Sequence, residues 1–246
     1  MEVKMRFKKF TVYLVLMAMA MGAVSCKKKD TGAENAGQGD QSTETGAASD
    51  SSEKKDNNGS ASAEVTEENF RSFPVTDESM FYVGDAEGGV AISGCKAELK
   101  DKVIVVPEKI SGSEVVAVSM GAFKENEDVV AIVLPDTVKK IEGTSFLDCG
   151  NLKYVYFGSG LKETGDMIFN FCKSIEKVEL PDGIERIGGL IAFNCASLKE
   201  IIIPASATDI PNGIMPSEGF DGVIKTPAGS EAEKVALEYG LKVENY

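Results

Sequence analysis

The sequence predicts an α/β-class solenoid, short and β-rich, coiled from about five units of 23 residues and closed at both ends by caps. Three observations carry this. Apolar residues recur at a fixed offset of 23 over residues 115–210. Each repeat holds a short alternating stretch followed by proline or glycine. The repeats end in a segment that reads as a capped helix. Self-similarity at such a period is the signature of an array whose units stack on one another.

In rows of 23, Leu134, Phe157, Leu180 and Ile203 form one column, and Pro135, Gly158, Pro181 and Pro204 the next. Further columns are Val138, Leu161, Ile184 and Ala207, then Ile141, Thr164, Ile187 and Ile210. Cys149, Cys172 and Cys195 fall in register, as do Leu152, Ile175 and Leu198, and Val155, Val178 and Ile201. An imperfect earlier unit supplies Val115, Val118, Phe123, Val129 and Ile132, with Asn126 in the cysteine column. Phe193 stands two residues before Cys195, whereas Phe146 and Phe169 stand three before theirs, which predicts a bulge or a turned-out side chain there.

Each unit supplies a short strand such as Leu152–Phe157, ended by proline or glycine because proline has no N–H for a ladder. One unit cannot bury its apolar face alone, and stacking at about 4.8 Å gives five units a length of roughly 24 Å. The open ends require covers. At the C-terminal end, Ser230-x-x-Glu233 reads as a capping box, Val235, Ala236 and Tyr239 as an apolar stripe, and Gly240 as the stop.

These residues carry a family resemblance. Leu152-x-x-Val155-x-Phe157 and Leu180-Pro181-x-x-Ile184-x-x-Ile187-Gly188 resemble the leucine-rich repeat of BspA-like surface proteins. Gly88–Gly94 with Val103–Pro107 resembles their N-terminal hairpin cap, about residues 80–107. Residues 223–246 resemble their helix–strand cap. The resemblance covers about residues 80–246, within a leucine-rich-repeat domain expected at residues 70–246, and implies attachment to host proteins or other bacteria.

Ahead of the repeats, Lys4, Arg6, Lys8 and Lys9 precede an uncharged run from Phe10 to Val24, as in a signal peptide over residues 1–25. Met5-Arg6-Phe7-Lys8-Lys9 is a sufficient basic start by itself, so Met1 and Met5 both stand as first residues. Ala23-Val24-Ser25-Cys26 resembles a bacterial lipobox, with Ala23 in place of the usual leucine, and implies lipidation of Cys26. The plain alternative is a secretory peptide in which Cys26 is incidental. Residues 26–69 then form a polar tether, because the stretch from Asp30 to Asn69 has no aromatic residue and is too polar to fold alone. The expectation is an exported protein held to a membrane through lipid on Cys26, at the outer membrane or cell surface.

Composition excludes several classes. A formal net charge of -13, from 39 acidic and 26 basic residues, opposes nucleic-acid binding. With no histidine, His-dependent triads and the commonest zinc ligand are both missing. No cofactor and no metal site is expected, and the cysteine column reads as buried structural thiols. Asp136 and Asp182, two coils apart, would stand roughly 9–10 Å from each other, near an inverting glycosidase pair. Both follow a proline at an exposed turn where nothing raises a carboxyl pKa, so no catalytic residue is assigned and the protein reads as non-enzymatic.

The outward positions of the strands hold the candidate binding residues. One column reads Val133, Tyr156, Glu179, Ile202 and its neighbour Ala131, Tyr154, Lys177, Glu200. Tyr154, Tyr156, Val133, Ile202 and Lys177 make a rigid aromatic and β-branched patch suited to a protein or cell-surface ligand. The expected function is adhesion or protein binding from the cell envelope. The alternative is a structural or assembly factor within the envelope that meets no external ligand.

Overall fold

The computed structural model describes residues 64–210 and 220–246. They lie in the compact unit Asn58–Tyr246, and the signal peptide, Cys26 and most of the tether lie outside the described residues. The strands are β1 (Phe81–Ala86), β2 (Gly89–Cys95), β3 (Val103–Val105), β4 (Lys109–Ile110), β5 (Ser113–Val118), β6 (Ala131–Val133) and β7 (Lys140–Ile141). After them come β8 (Tyr154–Tyr156), β9 (Glu163–Thr164), β10 (Lys177–Glu179), β11 (Glu200–Ile202), β12 (Val223–Thr226), the helix α1 (Glu231–Glu238) and β13 (Lys242–Asn245).

The described chain is a succession of coils, each with a front strand, a turn to the back and a return. The back ladder runs β1-β2-β5-β7-β9 and continues through single bridges at Arg186 and Asp209. Beyond the antiparallel β1–β2 pair this path is parallel, as a solenoid requires. The front ladder is two parallel sheets, β3-β6-β8 and β10-β11-β12-β13. Register across β10 and β11 pairs Lys177 with Glu200 and Glu179 with Ile202, the 23-residue offset of the sequence. Both caps add front strands to those of the repeats, one at the N-terminal end, where Val103–Val105 pairs with β6, and two at the C-terminal end, where β12 and β13 extend β11.

The N-terminal cap therefore differs from its expected form. Its hairpin is β1 with β2, turning at Gly88 with φ 86, and Val103–Pro107 is no arm of it. The C-terminal cap forms as its residues dictate. Ser230 Oγ accepts the Glu233 N–H at 3.1 Å, and the Glu233 carboxylate accepts the Gly229 N–H at 2.5 Å. Ala232, Val235 and Ala236 are buried against the stack, and Gly240 leaves the helix at φ 71.

The interior is one continuous apolar cluster from Phe81 to Ala236. Phe123, Phe146 and Phe169 stack down its length, with centroids 5.5 and 5.2 Å apart and planes within 17°. The stack stops there. Ala192 takes the phenylalanine position of the next coil at 0% exposure, and Phe193 turns out to a half-buried site. No bulge is needed, since Cys195 keeps its register and its thiol donates to the Phe169 carbonyl at 3.0 Å. Asn126 serves its column differently from the cysteines. Its Oδ1 accepts the N–H groups of Asp128 and Val129, closing its own turn rather than bonding the coil before.

Each turn to the back bends through left-handed backbone at two positions. Thr144, Met167 and Leu190 form one such column, with φ of 56, 57 and 55, and Glu125, Asp148, Phe171 and Asn194 the other, with φ between 57 and 63. The coils also touch backbone to backbone. A Cβ on Gly188 would lie 2.2 Å from the Gly165 carbonyl, so glycine at 188 is a spatial requirement.

Candidate binding surface

The front ladder carries the surface, and its interruption shapes it. In the other coils the residue after the front strand donates across to the next coil, as Leu134 N–H does to the Tyr156 carbonyl and Leu180 N–H to the Ile202 carbonyl. Between β8 and β10 no such bond is made among the described residues. The break coincides with Gly158, which stands where the other coils have proline and adopts φ 72. Proline is held near φ −65° and continues the turn one way; a left-handed glycine sends the chain another. Val155 is only half-buried at this seam, whereas Ile132, Val178 and Ile201 of its column are buried.

A groove of about 1110 Å³ runs over the seam and down the lower front sheet. Tyr154, Tyr156, Lys177 and Ile202 line it, joined by Glu179, Glu200, Lys225 and Tyr246. Of the five residues picked out by sequence, Val133 is absent from the groove and lies half-buried under the N-terminal segment. Ala131, expected to face outward, is fully buried there. The cover is residues 64–73, part of which the sequence assigns to the tether. The packed chain begins before Asn69: Val65 already packs on the second apolar cluster, with Phe70, Val103, Val105 and Ala131.

Three side chains of this segment reach the face. Phe70 is buried and stacks on Tyr154 with centroids 5.4 Å apart and planes at 17°. The Arg71 guanidinium sits 3.7 Å above the Tyr156 ring. Glu67 pairs with Lys177 and holds that ammonium above the usual lysine range. Phe70 and Arg71 follow directly on the aromatic-free tract, and that change in composition is the signal by which sequence could have joined them to the site. Lower down, Glu200 pairs with Lys225 at 2.9 Å and likewise raises its pKa.

The carboxylates weighed for catalysis sit at the rim. Asp136 is exposed, and the Ser159 N–H 2.7 Å from its Oδ1 holds it below the usual carboxylate range. A proton donor needs a shift in the other direction. Asp182 is exposed at the equivalent turn. Among the described residues no group of three acidic or cysteine side chains is placed to hold a metal ion, and no helix is long and apolar enough to cross a membrane.

The repeat family described as BspA type leucine rich repeat region matches residues 110–217 in six copies. Residues 110–217 are a BspA-type leucine-rich repeat region. The chain is also similar to solved bacterial leucine-rich repeat proteins. One from T. pallidum shares 25% identity at a TM-score of 0.56, over 62% of this chain and 71% of that one. A leucine rich cell surface protein from Faecalibacterium prausnitzii gives 23% and 0.47, over 65% and 39%. A leucine-rich repeat protein from Bacteroides ovatus gives 22% and 0.49, over 62% and 46%. The chain thus spans less than half the length of the last two. No curated protein matches it. BspA-type coils stack into a solenoid whose ladder faces are extended surfaces, the architecture repeat proteins use for binding.

Proposed function

We propose that this BspA-type repeat protein is a non-enzymatic, lipid-anchored protein of the cell envelope that binds a protein partner through its front ladder, in adhesion to a host or bacterial surface. The observation that carries the reading is the groove over β8, β10 and β11. It offers tyrosine rings, an isoleucine and paired charges on a hydrogen-bonded support. Tyrosine on a rigid backbone gives contact area at small entropic cost, and flanking charges select the partner. The anchor rests on sequence: a basic start, an uncharged run and small residues leading into Cys26.

The test uses the full chain. Immobilised protein is expected to capture a partner from surface extracts, to lose it in Tyr156→Ser with Ile202→Asp, and to keep it in Lys140→Ser on the back ladder. Capture indifferent to the front substitutions removes the face from the reading. Fatty-acid labelling abolished by Cys26→Ser tests the anchor, and protease treatment of intact cells tests exposure. Survival of the protein under protease would favour a structural factor inside the envelope.

A further inference from the structure

The upper half of the candidate surface is already occupied, and the occupant is the chain itself. Residues 64–73 are held as a unit by local bonds: Asn69 Oδ1 accepts the Thr66 N–H at 2.9 Å, and Asn69 Nδ2 donates to the Glu64 carbonyl at 2.9 Å. A single turn of 3-10 helix, Phe70–Ser72, follows. Thr76 then pins the segment to β3, donating its N–H to the Val105 carbonyl at 2.9 Å and accepting the Val105 N–H on its hydroxyl at 3.1 Å. Between these two fixings, Phe70 and Arg71 cover the two tyrosine rings of β8, and Glu67 reaches over the seam to Lys177 of β10.

This arrangement is that of a bound peptide. A ring stacks on a ring, a cation lies on a π-face, and a carboxylate meets an ammonium, each a contact made by side chains across a surface. Contacts of these kinds each shift an equilibrium by about tenfold or less, so the segment is seated and still displaceable. The side chains it engages are three of those that make the front face suited to a partner: Tyr154, Tyr156 and Lys177.

We propose that residues 66–72 are an intrachain ligand of the front face, and that a protein partner of this face presents the same chemistry, an aromatic side chain followed by a cation with a carboxylate upstream, and seats by displacing them. The partner's part in this rests on the protein-binding reading above; the seating of the segment does not. A site filled in this way has its apparent affinity reduced by the fraction of time it stands open.

The experiment titrates a fluorescent synthetic peptide of residues 64–74 into the full-length protein and follows anisotropy. Phe70→Ser with Arg71→Ser, which disables the resident segment, is expected to bind the peptide at least about tenfold more tightly than the unaltered protein. Adding Tyr154→Ser and Tyr156→Ser to that variant is expected to abolish binding. Equal affinity for the unaltered protein and the segment variant overturns the proposal, as does binding that survives loss of both tyrosines, or binding to none of the three. A second readout leaves the segment intact. Tyr156→Ser is expected to speed tryptic cleavage after Arg71 about tenfold, because the guanidinium is then free to enter the protease. An unchanged rate overturns the proposal even where the segment variant does not fold. Failure to capture any partner leaves these two measurements standing, so the two readings fail separately.

Discussion

The Cys172 thiol lies 3.1 Å from the Phe146 carbonyl oxygen of the preceding coil and donates to it. The same bond joins Cys149 to Phe123 and Cys195 to Phe169, each at 3.0 Å. The Phe146 carbonyl also accepts the Cys149 N–H at 3.3 Å, which closes its own turn, so the thiol of the next coil takes up its remaining capacity. The cysteine column is a line of rivets, each a small buried donor sized to one carbonyl. Cys172→Ala is expected to lower unfolding free energy by about 1–2 kcal/mol, from a lost hydrogen bond and a small void. Urea denaturation measures it, and a loss below a few tenths would show that the thiols only fill space.

Burial also dictates how the Cys195 thiol responds to pH. The Cys195 thiol is pushed up from 9.0 to about 12 because the interior penalises the thiolate. Its folded pKa exceeds its unfolded one, so its contribution is complete below pH 9 and is lost as pH rises toward 12. Stability is expected to fall between pH 9 and 11, and less steeply in Cys195→Ala. At pH 8 the folded protein is expected to leave Cys149, Cys172 and Cys195 unmodified by iodoacetamide until denaturant is added.

Gly188 and Gly150 make a matched pair. A Cβ on Gly188 meets the Gly165 backbone at 2.2 Å, whereas one on Gly150 meets nothing within 4 Å. Gly188→Ala is expected to cost about 1–3 kcal/mol or more, since backbone in the neighbouring coil has to move. Gly150→Ala is expected to be neutral or to stabilise by up to about 1 kcal/mol through the unfolded chain. Thermal melts of the two variants check both signs at once.

Glu125 holds φ 59 with its side chain mostly in solvent. It pairs with the neighbouring Lys124, and an exposed pair of this kind contributes little. Asparagine tolerates left-handed backbone better than glutamate, and the last coil of this column already has Asn194. Glu125→Asn is expected to raise stability by roughly 0.5–1 kcal/mol, and Glu125→Val to lower it by about 1 kcal/mol or more. Differential scanning calorimetry of the pair decides it.

The fold was legible because a repeat writes each constraint several times. Leu152, Ile175 and Leu198 announce one buried position between them, and no single coil would have done so. Features that occur once were harder to read. The hairpin arm Phe81–Ala86 is exposed from Tyr82 to Asp85 and has no counterpart in the repeat, so its pairing with Gly89–Cys95 is visible only in the fold. The left-handed columns escape sequence because Thr144, Met167 and Leu190 are not residues that advertise such backbone. At the surface, strand alternation picked out Tyr154, Tyr156, Lys177 and Ile202, and the fold places all four along one groove. Alternation says nothing of what lies on top. Phe70 and Arg71 sit beyond the repeat, at the edge of a tract whose composition resembles a tether, and only tertiary packing joins them to the tyrosines.

The interruption of the front ladder has a mechanical meaning. Behind it the back ladder passes unbroken from β7 through β9 to Arg186 and Asp209, and the apolar interior is continuous. Strands bonded on one side and unbonded on the other form a joint with a spine. The front of the stack is tied least at Gly158, so a bending load falls on that line instead of spreading over every rung, and the two halves of the face lie on either side of it like the pages of a book. With Phe70 and Arg71 resting on one page and Glu67 on the other, the same short segment acts as the clasp.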